Sequence, residues 1–361
     1  MSRSARHGNG WRRHLAALLL AGACPLAAHA AESTASSGDS PRAWLQDMSR
    51  AFGELSYDGV FSYYGGQDLA TLRVVHMVVD GEPRERLVHL NGAPREIVRT
   101  GDQVVCIVMP GDALLELEDS IPAGPLASAF IRGYDRISEN YALSFFGEDR
   151  VAGRTAMRLA VTPKDQNRFG YRLWLDKDTR LLLRSELIDG GGDRLEIFQF
   201  TDLRLGDDVD PAALEPEGPD GSLVTHLTLA TQDRQPVSAA QLGWRLGWLP
   251  DGFSMASADI RSAPRTLKSV RTMMYTDGLA AFSVFIESMP ERAATAMVSR
   301  SGATVAVTHV VQGADQQPHL VTLVGELPTA TAQRIARSVV IRSEGDTEPT
   351  VAGAPAAGGA P

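Results

Sequence analysis

The chain has 361 residues, 43% hydrophobic and 22% charged, enough apolar material for about two globular domains plus tails without disulfide or metal staples. Its formal net charge of −9 argues against a nucleic-acid binder, because duplex affinity comes chiefly from neutralising phosphates. Two cysteines, Cys24 and Cys106, are too few for a disulfide framework.

Residues 1–30 read as an export signal. Arg3, Arg6, Arg12 and Arg13 form a positive start, and Leu15 to Leu26 an apolar stretch too short to span a bilayer. Ala28-His29-Ala30 is an A-x-A cleavage site that makes Ala31 the expected mature N-terminus, in the periplasm. The rival is a lipoprotein signal ending at Cys24, weakened because Ala21-Gly22-Ala23 supplies no large aliphatic residue. Cleavage removes four arginines and no acid, so the net charge falls from −9 to −13. Cys106 is then alone, in the apolar run Val104 to Val108, where a buried inert thiol is expected. No later segment is long and apolar enough for a transmembrane helix.

Residues 31–41 are a small polar linker. Ser40 is placed to cap a helix that Pro41 opens, and Trp44, Met48, Phe52 and Leu55 recur at helical spacing on one face. From Tyr57 the apolar period becomes two. Strands are predicted over 57–64, 69–79, 84–90, 95–100, 103–109 and 113–118. After a break they continue over 141–149, 153–162, 170–175, 181–188 and 194–205, eleven candidates in an antiparallel meander. Asp80-Gly81, Asn91-Gly92 and Gly101-Asp102 punctuate them with the positive φ that tight hairpins need. The break, Ile121 to Arg132, suits a short helix. The acidic, Pro/Gly-rich stretch 207–222 reads as a linker between a domain over 42–206 and a second over 223–342, and as the most protease-sensitive internal site. The second region contains the segment Trp244 to Phe253 and a hairpin with Asp277-Gly278 between strands 270–275 and 279–287. Strands over 304–311 and 319–324 follow, then a helix opened by Pro328 with Ala332, Ile335, Ala336 and Val339 on one face. The tail, 343–361, is Ala/Gly/Pro-rich and reads as disordered.

Catalytic motifs are absent from this sequence. The five histidines of the mature chain (His76, His89, His226, His309, His319) stand in no metal spacing, and there is no G-x-S-x-G, P-loop or G-x-G-x-x-G. Asp207, Asp208 and Asp210 lack the loop pattern of a calcium site. The expectation is a binding protein, not an enzyme, with no catalytic residue, metal or cofactor.

Six segments together resemble the sigma-E factor regulatory protein family (RseB/MucB type). They are Tyr57-Asp58-Gly59-Val60-Phe61, Asn91-Gly92-Ala93-Pro94-Arg95-Glu96 and Tyr171-Arg172-Leu173-Trp174-Leu175-Asp176 in the first region. In the second they are Trp248-Leu249-Pro250-Asp251-Gly252-Phe253, Tyr275-Thr276-Asp277-Gly278-Leu279 and Val324-Gly325-Glu326-Leu327-Pro328. They occur in the family's order over residues 42 to 341. The resemblance implies an α+β fold: a large N-terminal half-open antiparallel β-barrel with helices, like the carriers of outer-membrane lipoproteins, and a smaller C-terminal mixed α/β domain. It also implies negative regulation of the envelope stress response. Such proteins bind the periplasmic part of a membrane anti-sigma factor and shield it from proteolysis, and lipid or lipopolysaccharide releases the shield. In some bacteria the regulated output is exopolysaccharide. A second copy of the chain is a further candidate partner.

Under that picture Phe61, Tyr63, Leu72, Val74, Met77, Leu90, Ile107 and Met109 are candidates to line a lipid cavity, against the alternative that they fill the core. Trp244, Trp248 and Phe253 are candidates for a partner-binding surface, since large aromatics carry interface energy; an interdomain packing seam serves them equally well. The alternative function is a soluble periplasmic lipid or lipoprotein carrier built on the same barrel.

Overall fold

The computed structural model describes residues 40–66, 68–92, 94–101, 103–108, 134–216, 225–228, 234–238, 241–262, 269–288, 296–312 and 317–341. Helix α1 (Pro41–Glu54) begins where Ser40 Oγ accepts the Ala43 N–H at 3.1 Å, with Pro41 in the first turn. It ends at Leu55, which is extended. Its face Trp44, Leu45, Met48, Ala51 and Phe52 is buried.

Ten strands follow over 57–205: β1 (Tyr57–Gly65), β2 (Asp68–Val79), β3 (Glu82–His89), β4 (Arg95–Thr100), β5 (Gln103–Val108), β6 (Tyr141–Val151), β7 (Arg154–Pro163), β8 (Gly170–Asp176), β9 (Leu182–Ile188) and β10 (Arg194–Leu205). With β11 (Thr225–Thr228) they form one antiparallel sheet in the order β11-β5-β4-β3-β2-β1-β10-β9-β8-β7-β6. Its outermost strands, β11 and β6, are not paired to each other, so the sheet stays open. One face carries the core. Tyr57, Phe61, Leu72, Val74, Leu87, Ile97, Leu159, Val161, Leu173, Phe198 and Phe200 pack there against α1 and a short helix, α2 (Tyr134–Asn140). Phe61, Phe198 and Phe200 meet with centroids 4.8 to 5.9 Å apart, in the offset and edge-on geometries that aromatic quadrupoles favour.

The hairpins sit where the sequence puts them. Asp80 (φ 55°) and Gly81 (φ 82°) both take positive φ between β2 and β3. Helix α2 was not anticipated, because residues 134–140 carry too few apolar positions to show a period. The predicted strand 113–118 and the helix in 121–132 lie outside the described residues.

The stretch read as a linker is partly built. Residues Gly206–Asp208 and Pro211–Leu214 form 3₁₀ turns, Val209 is buried, and Asp210 caps the second turn through Ala212 N–H. The buried Arg86, paired with Glu96, donates to the Ala213 carbonyl at 3.1 Å. Local composition gives no warning of that anchor, which comes from a residue 127 positions away. Beyond it, β11 pairs with β5 in the first sheet although its residues fall past the expected boundary.

The second sheet is also antiparallel, in the order β12-β14-β15-β16-β19-β18-β17. Its strands are β12 (Arg234–Pro236), β14 (Ser254–Ser262), β15 (Ser269–Thr276), β16 (Ala281–Ser288), β17 (Val298–Ser301), β18 (Thr304–Gln312) and β19 (Pro318–Glu326). Helix α3 (Thr329–Arg337) buries Thr331, Ala332, Ile335 and Ala336 against it. A short pair, β13 (Trp244–Leu246) with β20 (Val339–Ile341), closes this α+β unit. The fold is thus the expected one: a large N-terminal antiparallel sheet with helices on one face, and a smaller sheet carrying one helix.

Candidate functional site

Two charged contacts join the sheets, and open grooves lie beside them. The first contact centres on Arg168, in the connection from β7 to β8. Its side chain is 0% exposed, as is that of Asp277 in the β15–β16 turn. Arg168 Nη1 donates to Asp277 Oδ2 at 2.5 Å, and Nη2 to the Asp251 carbonyl at 2.5 Å. Nε and Nη2 also form a fork on Asp165, at 3.1 and 2.9 Å. Tyr141 O–H donates to the same Asp277 oxygen at 2.9 Å, while Oδ1 accepts the Leu279 and Ala280 amides at 2.9 and 2.8 Å. Burial, and then the Asp277 charge, push the Tyr141 hydroxyl far above its ordinary range, so it stays a donor. The guanidinium also lies 5.1 Å from the Phe253 ring and 5.5 Å from Tyr141. This is a charge pair whose desolvation is answered by a full set of hydrogen bonds.

The second contact runs through β10. Glu196 Oε2 accepts Tyr63 O–H at 2.8 Å, and Oε1 accepts the Ala303 amide of the β17–β18 turn at 3.1 Å. Backbones touch here: a Cβ on Gly302 (φ 57°) would lie 2.8 Å from Gly66 N. Only glycine permits both the conformation and the approach.

A groove of about 710 Å³ opens beside the first contact, lined by Gln166, Phe169, Tyr171 and Arg172 of the first sheet and by Arg300 and Pro328 of the second. A second groove, of about 510 Å³, lies between Tyr64, Asp68 and Arg194 on one side and Arg300, Ser301 and Gly302 on the other. Both grooves set arginines among mixed polar and apolar groups, with Arg300 common to the two. Among the described residues no group of three His, Cys, Asp or Glu side chains could hold a metal ion.

The cavity candidates divide. Phe61, Leu72 and Val74 are buried in the continuous core with α1, and Tyr63 packs at its edge. Met77 breaks from this set. β2 alternates, so Leu72 and Val74 face the core while Met77, an odd number of residues on, points to the other face and is half-buried. Leu90 lies beyond the end of β3 and is 50% exposed. Ile107 stands opposite Glu96 in the β4–β5 register, and Met109 lies outside the described residues. Of the six whose side chains are described, Phe61, Tyr63, Leu72, Val74, Met77 and Leu90, none lines either groove.

Of the aromatic candidates, Trp244 and Phe253 are buried in the second core and present little surface. Trp244 sits 5.1 Å from the His319 ring, and Phe253 lies between Phe282 and Arg168. Trp248 alone keeps surface, half-buried under the Arg334 guanidinium at 3.7 Å. Sequence reasoning missed Arg168, Asp277, Glu196 and Arg300. Each is a common charged residue in a turn or strand, and only Asp277-Gly278 carried a signal, read as a turn.

Comparison with known proteins adds the following. The MucB/RseB N-terminal domain model matches residues 40–218, and the MucB/RseB C-terminal domain model residues 238–340. The chain is 38% identical over 299 residues to the sigma factor AlgU regulatory protein MucB of Pseudomonas aeruginosa, covering 82% of this chain and 89% of that protein. It is 29% identical over 317 residues to the sigma-E factor regulatory protein RseB of Escherichia coli, covering 86% and 92%. Among solved structures it resembles MucB in complex with MucA(peri), with TM-score 0.68 and 35% identity over 84% of this chain and all of that one. It resembles MucB alone with TM-score 0.58 and 33% identity, over 83% and 97%.

Proposed function

The chain belongs to the MucB/RseB family, and from that premise we propose that it is a periplasmic negative regulator of a sigma-E-type envelope stress response. It binds the periplasmic part of a membrane anti-sigma factor and shields that segment from regulated proteolysis. Lipid or lipopolysaccharide binding to the first domain releases the shield. The protein acts by binding and not by catalysis. The observation that carries this reading is the likeness, across both sheets, to MucB solved with MucA(peri). The arginine-rimmed grooves at the junction support it physically, since an extended segment laid there would touch both sheets at once.

Among the described residues no helix is long and apolar enough to cross a membrane. We place cleavage after Ala30; mass spectrometry of the periplasmic form should give Ala31 as the first residue, and a lipid-modified Cys24 would overturn this. The function is tested by calorimetric titration of the mature protein with the periplasmic segment of its organism's anti-sigma factor, with and without lipopolysaccharide. A one-to-one complex that lipopolysaccharide weakens is expected. Absence of binding sinks the regulatory reading, and lipid binding without it favours a carrier.

A further inference from the structure

Arginines of the first sheet are answered by acids. Asp58 holds Arg73 and Arg204, Glu96 holds Arg86, Asp176 holds Arg154, and Glu186 is shared by Arg172, Arg184 and Arg194. One face of the second unit is composed differently. Helix α3 and the β13–β20 ribbon carry Arg245, Arg334 and Arg337, all exposed, and no Asp or Glu. Ala332, Ile335 and Ala336 of α3, Trp244 of β13 and Val339 of β20 are buried in the second core, so the positions between them turn outward. Arg334 and Arg337, three apart, are neighbours on the helix surface. Arg245 stands opposite Val340, which is 37% exposed, and cross-strand partners share a face. Trp248 joins helix to ribbon. Its ring lies under Arg334 at 3.7 Å, its carbonyl accepts the Ser338 hydroxyl at 3.2 Å, and the Gly247 amide donates to the Ser338 carbonyl at 2.7 Å. The first acid past Trp248 is Asp251, whose carbonyl is turned to Arg168. Neither groove is lined by these five residues.

We propose that this face docks the protein on an anionic phospholipid bilayer. Arg245, Arg334 and Arg337 rest on lipid phosphates, and Arg334, in leaving the Trp248 ring, uncovers the indole to the headgroup region. The attraction is local. The mature chain carries −13 overall, but salt screens charges beyond about 8 Å, so the surface nearest the bilayer decides it. Guanidinium groups meet phosphate oxygens in paired hydrogen bonds. An indole, apolar with one N–H donor, favours the zone between hydrocarbon and water. Lipid headgroups conform to a basic face of any shape. A protein interface needs a packed, desolvated centre, which three charged heads around one ring do not supply. Each arginine near an anionic surface contributes about fivefold in partitioning. Docking of this kind needs no anti-sigma factor.

The test mixes the full mature protein with vesicles of phosphatidylglycerol and phosphatidylcholine, or of phosphatidylcholine alone. Bound protein is read by co-sedimentation and by tryptophan fluorescence. Trp44, Trp174 and Trp244 are only 5–6% exposed, so Trp248 should dominate the spectral response. Binding to the anionic vesicles with a blue shift of emission is expected, and it should vanish at about 0.5 M salt. Arg245→Gln with Arg334→Gln and Arg337→Gln should lower partitioning at least about tenfold. Trp248→Phe should bind but lose the shift. Arg84→Gln with Arg150→Gln and Arg204→Gln, an equal loss of exposed charge from the first sheet, should change little. Wild-type protein that binds neither vesicle, or both equally, overturns the proposal even if a variant fails to fold. So does a first triple variant that partitions like the second. If that variant keeps its vesicle binding but loses the anti-sigma segment, the face belongs to the protein partner and the membrane proposal falls.

Discussion

The two contacts across the junction are built in opposite ways. Around Arg168 every charge meets its complement: two carboxylates, a carbonyl, a tyrosine hydroxyl and two backbone amides are distributed over one guanidinium and one aspartate. Around Glu196 the donors serve one carboxylate, and the neighbouring Glu326 adds charge of the same sign. The first contact resists change, because removing Arg168 or Asp277 strands a buried charge. The Glu196 contact, with two hydrogen bonds to one carboxylate, has less to lose when a member is removed. The junction thus combines a densely bonded pivot with a lighter edge.

Breaking the pivot should have the largest effect. Arg168→Met leaves Asp277 buried without its cation and is expected to cost about 3–5 kcal/mol, read from urea unfolding. Arg168→Met with Asp277→Asn should cost clearly less than the sum of the single changes, since neither then strands a charge. Phe253→Ala, which empties the core under the same guanidinium, should cost a similar ~3–5 kcal/mol. At the lighter edge the effects are smaller. Gly302→Ala forces a Cβ against Gly66 N at positive φ and is expected to cost about 1–2 kcal/mol in thermal or urea unfolding. Tyr63→Phe removes one hydrogen bond to Glu196 and should cost about 1 kcal/mol. Trp248→Ala loses its stacking with Arg334 and its partial packing on the second core, about 1–2 kcal/mol, less than Phe253→Ala. It is therefore the one aromatic candidate whose removal can report on partner binding without unfolding the second sheet. A Trp248→Ala protein that is folded yet binds the anti-sigma segment unchanged would remove Trp248 from the interface.

The former linker sharpens the same contrast between anchored and loose segments. With Arg86 holding the Ala213 carbonyl, limited proteolysis should be slow within residues 206–215. Rapid cutting there would show that the anchor does not hold in solution.

Much of the fold was legible because its causes are local. Ser40-Pro41 starts α1 through a side chain three residues from the amide it caps, and Asp80-Gly81 turns a hairpin because those two residues tolerate positive φ. Strand bounds followed from a period of two, and the same period, applied strictly, would have separated Met77 from Leu72 and Val74. The burial of Trp244 and Phe253 was open at the level of sequence, since an aromatic residue serves a core and an interface equally well. What the sequence could not say is which distant partners meet. β1 pairs with β10 across more than a hundred residues, β11 returns to β5, and Arg168 finds Asp277 at a separation of 109. Local propensities and turn chemistry act within a few residues and can be read in order along the chain. Charge compensation at a buried junction depends on which groups the packed sheets deliver to one place, and only the tertiary structure decides that.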